Sequence, residues 1–351
     1  MKIAHILWTF DIGGIQTMLV DIVNEQVKHN QVTILIVNNQ ISEALKSRIS
    51  NNVQIVFCKR KVGSYNIYPI IKLNWIIHRI NPDIIHCHED RITKVIWGCH
   101  NMVRTIHNTQ SKPYEYIKFR KLCCISDAVK DYTAKQGFPN ALVVHNGVDI
   151  TLIRKKKRYP NKESPIKAVC VGRLNEMKGQ IVIIEALNIL INKTGLQQLS
   201  VDLIGDYHGD WKYKKLIETK VSEYKLNSHV NFLGQKTRDY CYDNLCNYDL
   251  FIMPSTSEGF GLSLAEACVA RVPVIASDLP SLMEVLAGGR NGHIFKSGDP
   301  ESLAEAMEDY IINGVDLVQV NNASNYVKKK FDVKITASKY LDVYSTIISE
   351  K

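Results

Sequence analysis

The sequence lacks an apolar run as long as the roughly eighteen residues that a membrane-spanning helix requires. It also lacks the Gly-x-Gly-x-x-Gly fingerprint of dinucleotide-binding proteins and the Walker A loop, which argues against both of those nucleotide-binding classes. Its nine cysteines include no Cys-x-x-Cys pair, a pattern that favours a reducing compartment over a disulfide framework. Residues 1–7 are typical of a first strand and too short for a signal peptide, so we expect a cytoplasmic protein.

What the sequence does contain is an ordinary globular composition with an uneven charge. Its 351 residues, 45% apolar and 23% charged, predict about two domains. Residues 1–160 carry 23 Lys and Arg against 11 Asp and Glu, a net charge of +12, whereas residues 161–351 carry 21 against 24, or −3. A basic half is compatible with a solvated face, an anionic membrane surface, an acidic acceptor or nucleic acid. The basic runs at 59–61 and 154–158 have no interleaved aromatics, so we expect no nucleic-acid partner.

The order of predicted elements indicates two doubly wound parallel sheets, an α/β architecture. Short apolar runs alternate with helical patterns from residue 2 to residue 149, and the alternation starts again at residue 167. The residues between, 151–165, are polar, highly charged and contain two prolines, as is typical of a linker. We therefore predict a first domain at 1–153, a second at 154–332 and a separate final helix at 333–351.

The candidate chemistry concentrates in a strand-loop-helix-strand unit at 250–276. Its loop contains Gly259 and Gly261, small residues that allow a backbone to approach a phosphate closely. The helix predicted from about Gly261 presents unpaired N–H groups and its positive dipole end to that loop. Glu258 precedes this helix, and Glu266 is the one charge on it. Glu266 therefore has two open interpretations: a structural salt bridge or a contact to a polyhydroxyl ligand.

Two further loops follow predicted strands, where parallel sheets bind their ligands. Arg173 and Lys178 lie in a loop before a long helix. Fixed cations beside a helix N-terminus bind anions, although a solvated charged loop has the same pattern. Gly13 and Gly14 form a strand-to-helix turn. Either the turn conformation requires glycine there, or the backbone comes close to a ligand.

Histidines mark the ends of two neighbouring predicted strands. His86 and His88 point to the same face of one strand. A metal site needs three or four convergent ligands, and the sequence shows no complementary pair, so we predict no metal site there. His107 ends the following strand, where a lone histidine is more often structural than catalytic.

The central stretch, Ser-Glu-Gly-Phe-Gly-Leu-Ser-Leu-Ala-Glu-Ala at 257–267 followed by Val-Pro-Val-Ile-Ala-Ser at 272–277, resembles the signature of the retaining glycosyltransferase family 4. The loop Gly-Arg-Leu-Asn-Glu-Met-Lys-Gly at 172–179 is similar to a second motif of that family. The resemblance runs nearly end to end and is strongest over 167–310. It implies the GT-B fold, in which two Rossmann-like domains face each other across a cleft and the last helix packs back on the first domain. It also implies that the first domain, 1–153, binds the acceptor and that the second, 154–332, binds the nucleotide sugar.

The resemblance also implies roles for individual residues. Arg173 and Lys178 would hold the diphosphate of a nucleotide-sugar donor, Glu258 would contact hydroxyls of the donor sugar, and Glu266 would hold the ribose. His107, in a Thr-x-His motif, would lie near the donor sugar and the acceptor. The predicted catalytic residues are Glu258, His107, Arg173 and Lys178. The predicted donor-binding residues are Gly13, Gly14, Arg173, Lys178, Gly234, Glu258, Gly259, Phe260, Gly261, Leu262 and Glu266.

The expected function is transfer of a hexose or N-acetylhexosamine from a UDP- or GDP-sugar to a hydroxyl acceptor, with retention of anomeric configuration. A bacterial surface polysaccharide or glycolipid is the expected product, and a lipid-linked glycan is a candidate acceptor. The sequence has no Asp-x-Asp pair in an apolar context, so we expect neither a metal nor another cofactor. The basic first domain favours peripheral association with the inner face of the plasma membrane. The alternatives are a non-catalytic nucleotide-sugar-binding protein and an epimerase or phosphorylase of the same fold.

Overall fold

The chain divides into two units in a computed structural model that describes residues 1–98, 101–111, 113–161, 164–195 and 199–350. The first unit comprises Met1–Asp149 and Phe331–Lys351, and the second comprises Ile150–Lys330. These boundaries lie four and two residues before the predicted ones at 153 and 332.

The first unit is built on a seven-stranded parallel sheet with strand order β3-β2-β1-β4-β5-β6-β7. Strands β1, β2, β4 and β5 are buried on both faces, which explains why they appear in the sequence as nearly continuous apolar runs. The strands are β1 (Lys2–Leu7), β2 (Gln31–Asn38), β3 (Gln54–Arg60), β4 (Ile84–Cys87), β5 (Met102–Ile106), β6 (Lys121–Cys124) and β7 (Leu142–Val143). The helices are α1 (Gly14–Gln26), α2 (Glu43–Lys46), α3 (Tyr68–Ile80), α4 (Asp127–Lys135) and, from the end of the chain, α12 (Val333–Ser349).

The C-terminal helix completes the core of the first unit. Helix α12 packs against α1, and its Tyr340 and Tyr344 are fully buried. The Val148 N–H donates to the Phe331 carbonyl at 2.9 Å, so the returning chain supplies backbone partners beyond β7. This explains why β7 pairs with β6 over only two residues, although the predicted alternation of strands and helices runs to residue 149.

The second unit has a six-stranded parallel sheet with strand order β10-β9-β8-β11-β12-β13. The predicted class, two doubly wound parallel sheets, is thereby confirmed. The strands are β8 (Ile166–Val171), β9 (Leu199–Ile204), β10 (Val230–Gly234), β11 (Leu250–Met253), β12 (Val274–Ser277) and β13 (His293–Phe295). The helices are α5 (Gln180–Thr194), α6 (Trp211–Glu223), α7 (Arg238–Asn244), α8 (Leu262–Val269), α9 (Pro280–Val285), α10 (Pro300–Asn313) and α11 (Leu317–Lys330).

The turn that follows α8 is made by an arginine. Arg271 has φ +59°, in the left-handed region that favours glycine. The Arg271 N–H donates to the Cys268 carbonyl, and the Val272 N–H donates to the Ala267 carbonyl. The turn separates α8 from β12, which begins at Val274. Within the described ranges, no helix is both long and apolar enough to cross a bilayer.

Candidate active site

Two loops of the second unit are fixed against each other at the carboxyl ends of β8 and β11. The N–H groups of Thr256 and Ser257 both donate to the Met177 carbonyl, at 2.9 and 3.3 Å. Gly179 has φ +67°, and a Cβ there would lie 2.1 Å from the Pro254 carbonyl oxygen. The loop at 172–179 therefore meets the loop at 254–258 as closely as two backbones allow, and glycine is required at the junction.

Helix α8 begins beside this junction. Gly261 precedes it with φ +97°, and a Cβ on Gly261 would lie 2.6 Å from Leu282 Cδ2. The Ser263 hydroxyl in the first turn donates to the Val171 carbonyl at 3.1 Å, which ties the helix start to the end of β8. The unpaired N–H groups of a first helical turn thus lie next to the 172–179 loop, as anion binding requires.

Lys178 and Glu258 form an ion pair across the two loops. Their side chains are 23% and 15% exposed, so the pair is sheltered but reachable from solvent. Glu258 Oε1 also accepts the Gly259 N–H at 3.1 Å. The stem of Lys178 passes over Gly172, where an added Cβ would lie 3.6 Å from Lys178 Cδ. A cation, which can bind a phosphate, and a carboxylate, which can accept hydrogen bonds from hydroxyls, therefore lie side by side.

Arg173 lies on the same loop, exposed to solvent. Its carbonyl accepts the Gln180 side-chain amide at 3.0 Å, while its guanidinium has no ion-pair partner within the described part of the chain. The two cations of the loop therefore differ, because Lys178 is paired with Glu258 whereas the guanidinium of Arg173 is exposed to solvent.

Glu266 occupies the inner face of α8 and is 7% exposed. Arg238, at the start of α7, pairs with it at 3.2 Å between Nη2 and Oε1. Of the two interpretations that the sequence left open for Glu266, the salt bridge is present. Arg238 was missed by the sequence reasoning, because a single arginine after a Thr cap is common at the start of a helix.

The remaining residues predicted to bind the donor could contact it mainly through their backbone atoms, not through their side chains. Phe260 is 1% exposed, so its ring belongs to the core and only its backbone could face a ligand. Gly259 is buried, while Leu262 is half-buried at the first position of α8. Gly234 ends β10 with φ +67°, and its carbonyl accepts the Gly205 N–H at 3.0 Å.

In the first unit, Gly13 caps α1 and Gly14 is its first residue. Gly13 has φ −167°, extended backbone that any residue adopts, so the interpretation that the turn conformation requires glycine is wrong for this position. A Cβ on Gly13 would lie 2.7 Å from Gln16 Oε1, the end of a flexible side chain. Room for a close backbone approach remains the better explanation of the glycine.

His107 follows β5 beside three other histidines. Burial and the positive charge of Arg104 lower the pKa of His107 to about 3, so its imidazole is neutral near pH 7. Its Nε2 is buried without a hydrogen-bond partner in the part of the chain that the structure describes. The ring lies 5.6 Å from that of His88, centroid to centroid. His107 can therefore act as a neutral donor or acceptor.

The partner that the sequence did not reveal for His86 and His88 is His5, opposite His86 on the adjacent strand β1. Nitrogen atoms of the three rings lie within 4.8 Å of one another. The rings are fully buried and hydrogen-bonded to their neighbours. His5 forms a hydrogen bond with His88 Nε2 at 3.0 Å and donates to Gln26 Oε1 at 2.8 Å. His86 forms hydrogen bonds with the hydroxyls of Tyr344 and Thr105 at 2.6 and 2.7 Å. Burial lowers the pKa of His5 to about 4. These bonds favour a hydrogen-bonded core cluster of neutral rings over a ligand set.

Arg104 and Glu89 are functional candidates that the sequence reasoning missed. Arg104 is 2% exposed and pairs with Asp90. Glu89 follows β4, and its Oε2 accepts the Trp8 N–H at 3.1 Å. Burial raises the pKa of Glu89 to about 7. The available signal was the position of Glu89 at the carboxyl end of a parallel strand, where ligands bind.

Comparison with known proteins places both units in one family. Residues 153–330 match the family Glycosyl transferases group 1, and residues 12–152 match Glycosyltransferase Family 4. The phosphatidyl-myo-inositol mannosyltransferase of Mycobacterium tuberculosis is 26% identical over 298 residues, covering 78% of this chain and 76% of that protein. The lipopolysaccharide core biosynthesis mannosyltransferase LpcC of Rhizobium leguminosarum bv. viciae is 26% identical over 59% of this chain and 60% of its own length.

A solved structure shares the whole fold. The crystal structure of Anabaena Alr3699/HepE in complex with UDP and glucose superposes with a TM-score of 0.82 at 21% identity, covering 98% of this chain and 99% of that chain. Together with the two family matches, this places the motifs of the 172–179 and 254–266 segments in their expected fold. The chain belongs to the group 1, family 4 glycosyltransferases of the GT-B fold.

Proposed function

We propose that the protein transfers a hexose or N-acetylhexosamine from a UDP- or GDP-sugar to a hydroxyl acceptor, with retention and without a metal ion. The observation that carries the proposal is the Lys178–Glu258 pair beside the start of α8. It combines a cation, a carboxylate and helix N–H groups, which are the complements of a diphosphate and of sugar hydroxyls.

The donor is assigned to the second unit. Lys178 and the exposed Arg173 bind the diphosphate together with the first turn of α8. When the phosphate of the donor pairs with Lys178, Glu258 is released from that ion pair and accepts hydrogen bonds from hydroxyls of the sugar. Glu266, already oriented by Arg238, accepts from the ribose. Gly234, exposed at the end of β10, leaves open space against which a base can lie.

The chemical step breaks the bond between the anomeric carbon and the diphosphate oxygen. Negative charge then develops on the leaving diphosphate, and each fixed donor around it contributes a few kcal/mol in a site that excludes water. The acceptor oxygen attaches to the same face of the sugar, and its proton passes to an oxygen of the departing phosphate. His107 is neutral near pH 7, which suits a hydrogen bond to a hydroxyl better than a cationic role.

The product class is proposed from the named relatives. One is named a phosphatidyl-myo-inositol mannosyltransferase and another a lipopolysaccharide core biosynthesis mannosyltransferase. We infer that this protein also works in synthesis of a bacterial surface polysaccharide or glycolipid, on an acceptor carried by a lipid.

A surface of the first unit supports work at the inner face of the plasma membrane. Between residues 44 and 82 the chain has seven basic residues and no acidic one. Helix α3 and the loop before it expose large apolar and aromatic side chains beside these charges, with Tyr65 fully exposed and Trp75 55% exposed. Aromatic rings at headgroup depth with Lys and Arg beside them bind anionic bilayers. We name this surface, formed by residues 59–79, the α3 surface.

Vesicle sedimentation tests the α3 surface. We expect binding to vesicles containing phosphatidylglycerol, no binding to pure phosphatidylcholine, and release by salt. Trp75→Ser should weaken binding, whereas Trp211→Ser, which removes an exposed tryptophan of the second unit, should not. Equal binding by the two variants, or no binding at low salt, would remove the membrane proposal and leave the transferase proposal standing.

Thermal stabilisation by a panel of nucleotide sugars tests the donor, because a ligand that binds only the folded protein raises its melting temperature. We expect one donor to stabilise the wild type and, at the same concentration, to stabilise Lys178→Met and Glu258→Gln less. Lys193→Met is the matched control, since Lys193 forms a surface pair with Glu308 in the same unit. If no donor stabilises the protein at saturating concentration, the proposal is wrong.

The stabilising donor is then incubated with acceptors, and the products are analysed by NMR. A glycoside with the donor's anomeric configuration, formed equally in the presence of a chelator, is the expected result. Binding without turnover would indicate a sensor, and nucleotide release without a glycosylated product would indicate an epimerase or a phosphorylase.

A further inference from the structure

The second unit carries a local concentration of cations beyond the C-terminal end of α8. Residues 154–158 are five consecutive basic residues, and α11 ends with three lysines at 328–330. Among the five, Lys156 is buried and pairs with Asp249 Oδ1 at 3.0 Å. Residues 161–351 have a net charge of −3, so these cations are not part of a generally basic surface.

Three segments of the chain meet at this place. The Lys156 N–H donates to the Ala270 carbonyl at 2.8 Å, which fixes the linker to the end of α8. The Tyr159 hydroxyl donates to the Arg271 carbonyl at 3.0 Å, which fixes the linker to the turn after that helix. Helix α11 packs against α8 from another side. The linker, the turn at Arg271 and the end of α11 are therefore held in one place by contacts within the second unit.

Lys155, Arg271 and Lys328 form the centre of this group, which we name the linker cluster. Burial lowers the pKa of Lys328, and the positive charges of Lys155 and Arg271 lower it further. None of the three has an ion-pair partner within the described ranges. The negative dipole ends of α8 and α11 favour one cation each, which accounts for Arg271 and Lys328 separately. The dipoles do not account for Lys155, or for a field so positive that a neighbouring lysine holds its proton less tightly.

Arg271 adds two further signs of a binding position. Its φ of +59° lies in the left-handed region, where glycine would be the less strained residue. Its Nε is buried and has no hydrogen-bond acceptor in the part of the chain that the structure describes. Strained backbone and unsatisfied buried polar groups are both costly, and both are concentrated at functional sites.

A phosphate group fits three neighbouring cations better than a carboxylate does. A phosphate monoester carries about −1.5 to −2 charge near pH 7 and has three strong acceptor oxygens. The guanidinium of an arginine can bind two of these oxygens at once, while lysine ammonium groups act as point charges. A carboxylate brings a single charge and two oxygens, so it would leave more of the repulsion between the cations in place.

We propose that the linker cluster binds a phosphate group through the side chains of Lys155, Arg271 and Lys328. The predicted donor site precedes α8, whereas the linker cluster follows it, so the two sites lie at opposite ends of that helix. The cluster also combines the two segments by which the chain enters and leaves the second unit, after residue 149 and before residue 331. A bound phosphate joins these segments to each other and to α8. Lipid headgroups and free phosphorylated compounds offer the same group, so the experiment has an arm for each.

Phosphorus NMR titration with inorganic phosphate at constant ionic strength tests the site. The titration uses a Lys178→Met background, because Lys178 is predicted to bind phosphate at the donor site. We expect saturable binding that is roughly tenfold or more weaker in Arg271→Gly and Lys328→Met. Lys212→Met, which removes an exposed lysine of α6, should bind as its parent does. Binding that does not saturate, or equal affinities in the cluster variants and the control, would overturn the proposal.

Arg271→Gly is the sharpest of these variants, because it removes the guanidinium without disturbing the turn. Glycine adopts a φ of +59° without strain, and the carbonyl that accepts the Tyr159 hydroxyl belongs to the backbone. We therefore expect this variant to resist urea at least as well as its parent in the absence of phosphate. Lost phosphate binding with retained stability supports the site, whereas normal phosphate binding with reduced stability would overturn it.

The ionisation of Lys328 gives a readout that a purely structural role would not change. Carbon NMR of the lysine ε-carbons follows the pKa of this ammonium with and without phosphate. We expect saturating phosphate to raise the pKa of Lys328, since a bound anion offsets the repulsion from Lys155 and Arg271. An unchanged pKa at saturating phosphate would show that the anion binds elsewhere and would overturn the proposal.

Vesicle sedimentation identifies the source of the phosphate once binding is established. Vesicles containing phosphatidic acid are used in a Trp75→Ser background, which weakens the α3 surface. If the cluster binds a lipid headgroup, Arg271→Gly lowers the sedimented fraction. If it binds a free phosphorylated compound, the sedimented fraction is the same with and without Arg271→Gly. Either result, together with saturable binding of inorganic phosphate, supports the site and names its source.

Discussion

Replacing Glu89 by glutamine should stabilise the first unit above pH 7 and leave it nearly unchanged near pH 4.5. Burial raises the pKa of this carboxyl from 4.5 to about 7, so the folded protein holds its proton more tightly than the unfolded chain. The protonated Glu89 carboxyl therefore makes its full contribution to the free energy of unfolding below about pH 4.5. That contribution is lost as the pH rises through about 7 and the carboxyl ionises in the folded protein. Glutamine is neutral at every pH and carries no such loss.

The size of the effect follows from the shift. A difference of about 2.5 pH units corresponds to an upper limit of about 3 kcal/mol, and the partial exposure of Glu89 to solvent reduces it to about 1–2 kcal/mol. A residue that weakens the fold at working pH is most readily explained by a binding role, because stability is commonly sacrificed at functional sites.

Urea unfolding followed by tryptophan fluorescence measures this effect in the first unit alone. In a Trp211→Phe background all remaining tryptophans, Trp8, Trp75 and Trp97, lie in that unit. We expect Glu89→Gln to exceed its parent in unfolding free energy at about pH 8 and to match it at about pH 4.5. Glu43→Gln, an exposed control, should match its parent at both. A gain that is the same at both pH values, or a less stable variant at about pH 8, would refute the reasoning.

Three other perturbations follow from the same contacts. Arg238→Met removes the cation that pairs with the buried Glu266 carboxylate and should destabilise the second unit by about 3 kcal/mol, measured by urea unfolding in a background where Trp211 is the one tryptophan; no loss would show that the pair is dispensable. Gly179→Ala places a Cβ 2.1 Å from a carbonyl oxygen of the neighbouring loop and should abolish donor-induced stabilisation while the fold persists by circular dichroism; normal donor binding would contradict it. His5 and His107 have pKa values lowered to about 4 and about 3, so their stabilising contribution is present above about pH 6.5 and lost on acidification, by up to about 2 kcal/mol each near pH 5; a flat pH profile between 7 and 5 would contradict it.

The two sheets and the donor loops could be predicted because their signals are local. Each buried parallel strand is a short apolar run, and a loop such as 172–179 carries its glycines and cations within eight residues. The same applies to the stretch at 254–266, where loop, helix start and both glutamates are contiguous. A ligand site made from one or two loops at strand ends can therefore be recognised before its geometry is known.

The rest depends on contacts between residues far apart in the sequence. Arg238 meets Glu266 across 28 positions, and His5 meets His88 across 83. No local pattern distinguishes these residues from ordinary surface or core ones. Glu89 is missed for the same reason, since it accepts the backbone N–H of Trp8 across 81 positions. Phe260 shows a different limit, because the motif does not reveal that its ring belongs to the core and that only its backbone could face a ligand.

The Lys178–Glu258 pair also predicts how the protein distinguishes a nucleotide sugar from the nucleoside diphosphate that remains after transfer. Both ligands carry a phosphate that pairs with Lys178 in place of Glu258. Only the nucleotide sugar carries the hydroxyls of the donor sugar, which can donate to the Glu258 carboxylate in place of Lys178. Product binding therefore leaves a carboxylate, 15% exposed, without its cation, whereas donor binding satisfies both groups. This difference favours exchange of product for fresh donor.

Glu258→Gln separates the two ligands, because it removes the charge that the product strands. By calorimetry we expect this variant to bind the nucleotide sugar roughly tenfold or more weakly and the nucleoside diphosphate at least as tightly as the wild type. Lys178→Met should weaken both ligands, since both present the phosphate. If Glu258→Gln weakened the two ligands equally, Glu258 would make no contact specific to the sugar, and the assignment of that carboxylate to the donor hydroxyls would fail.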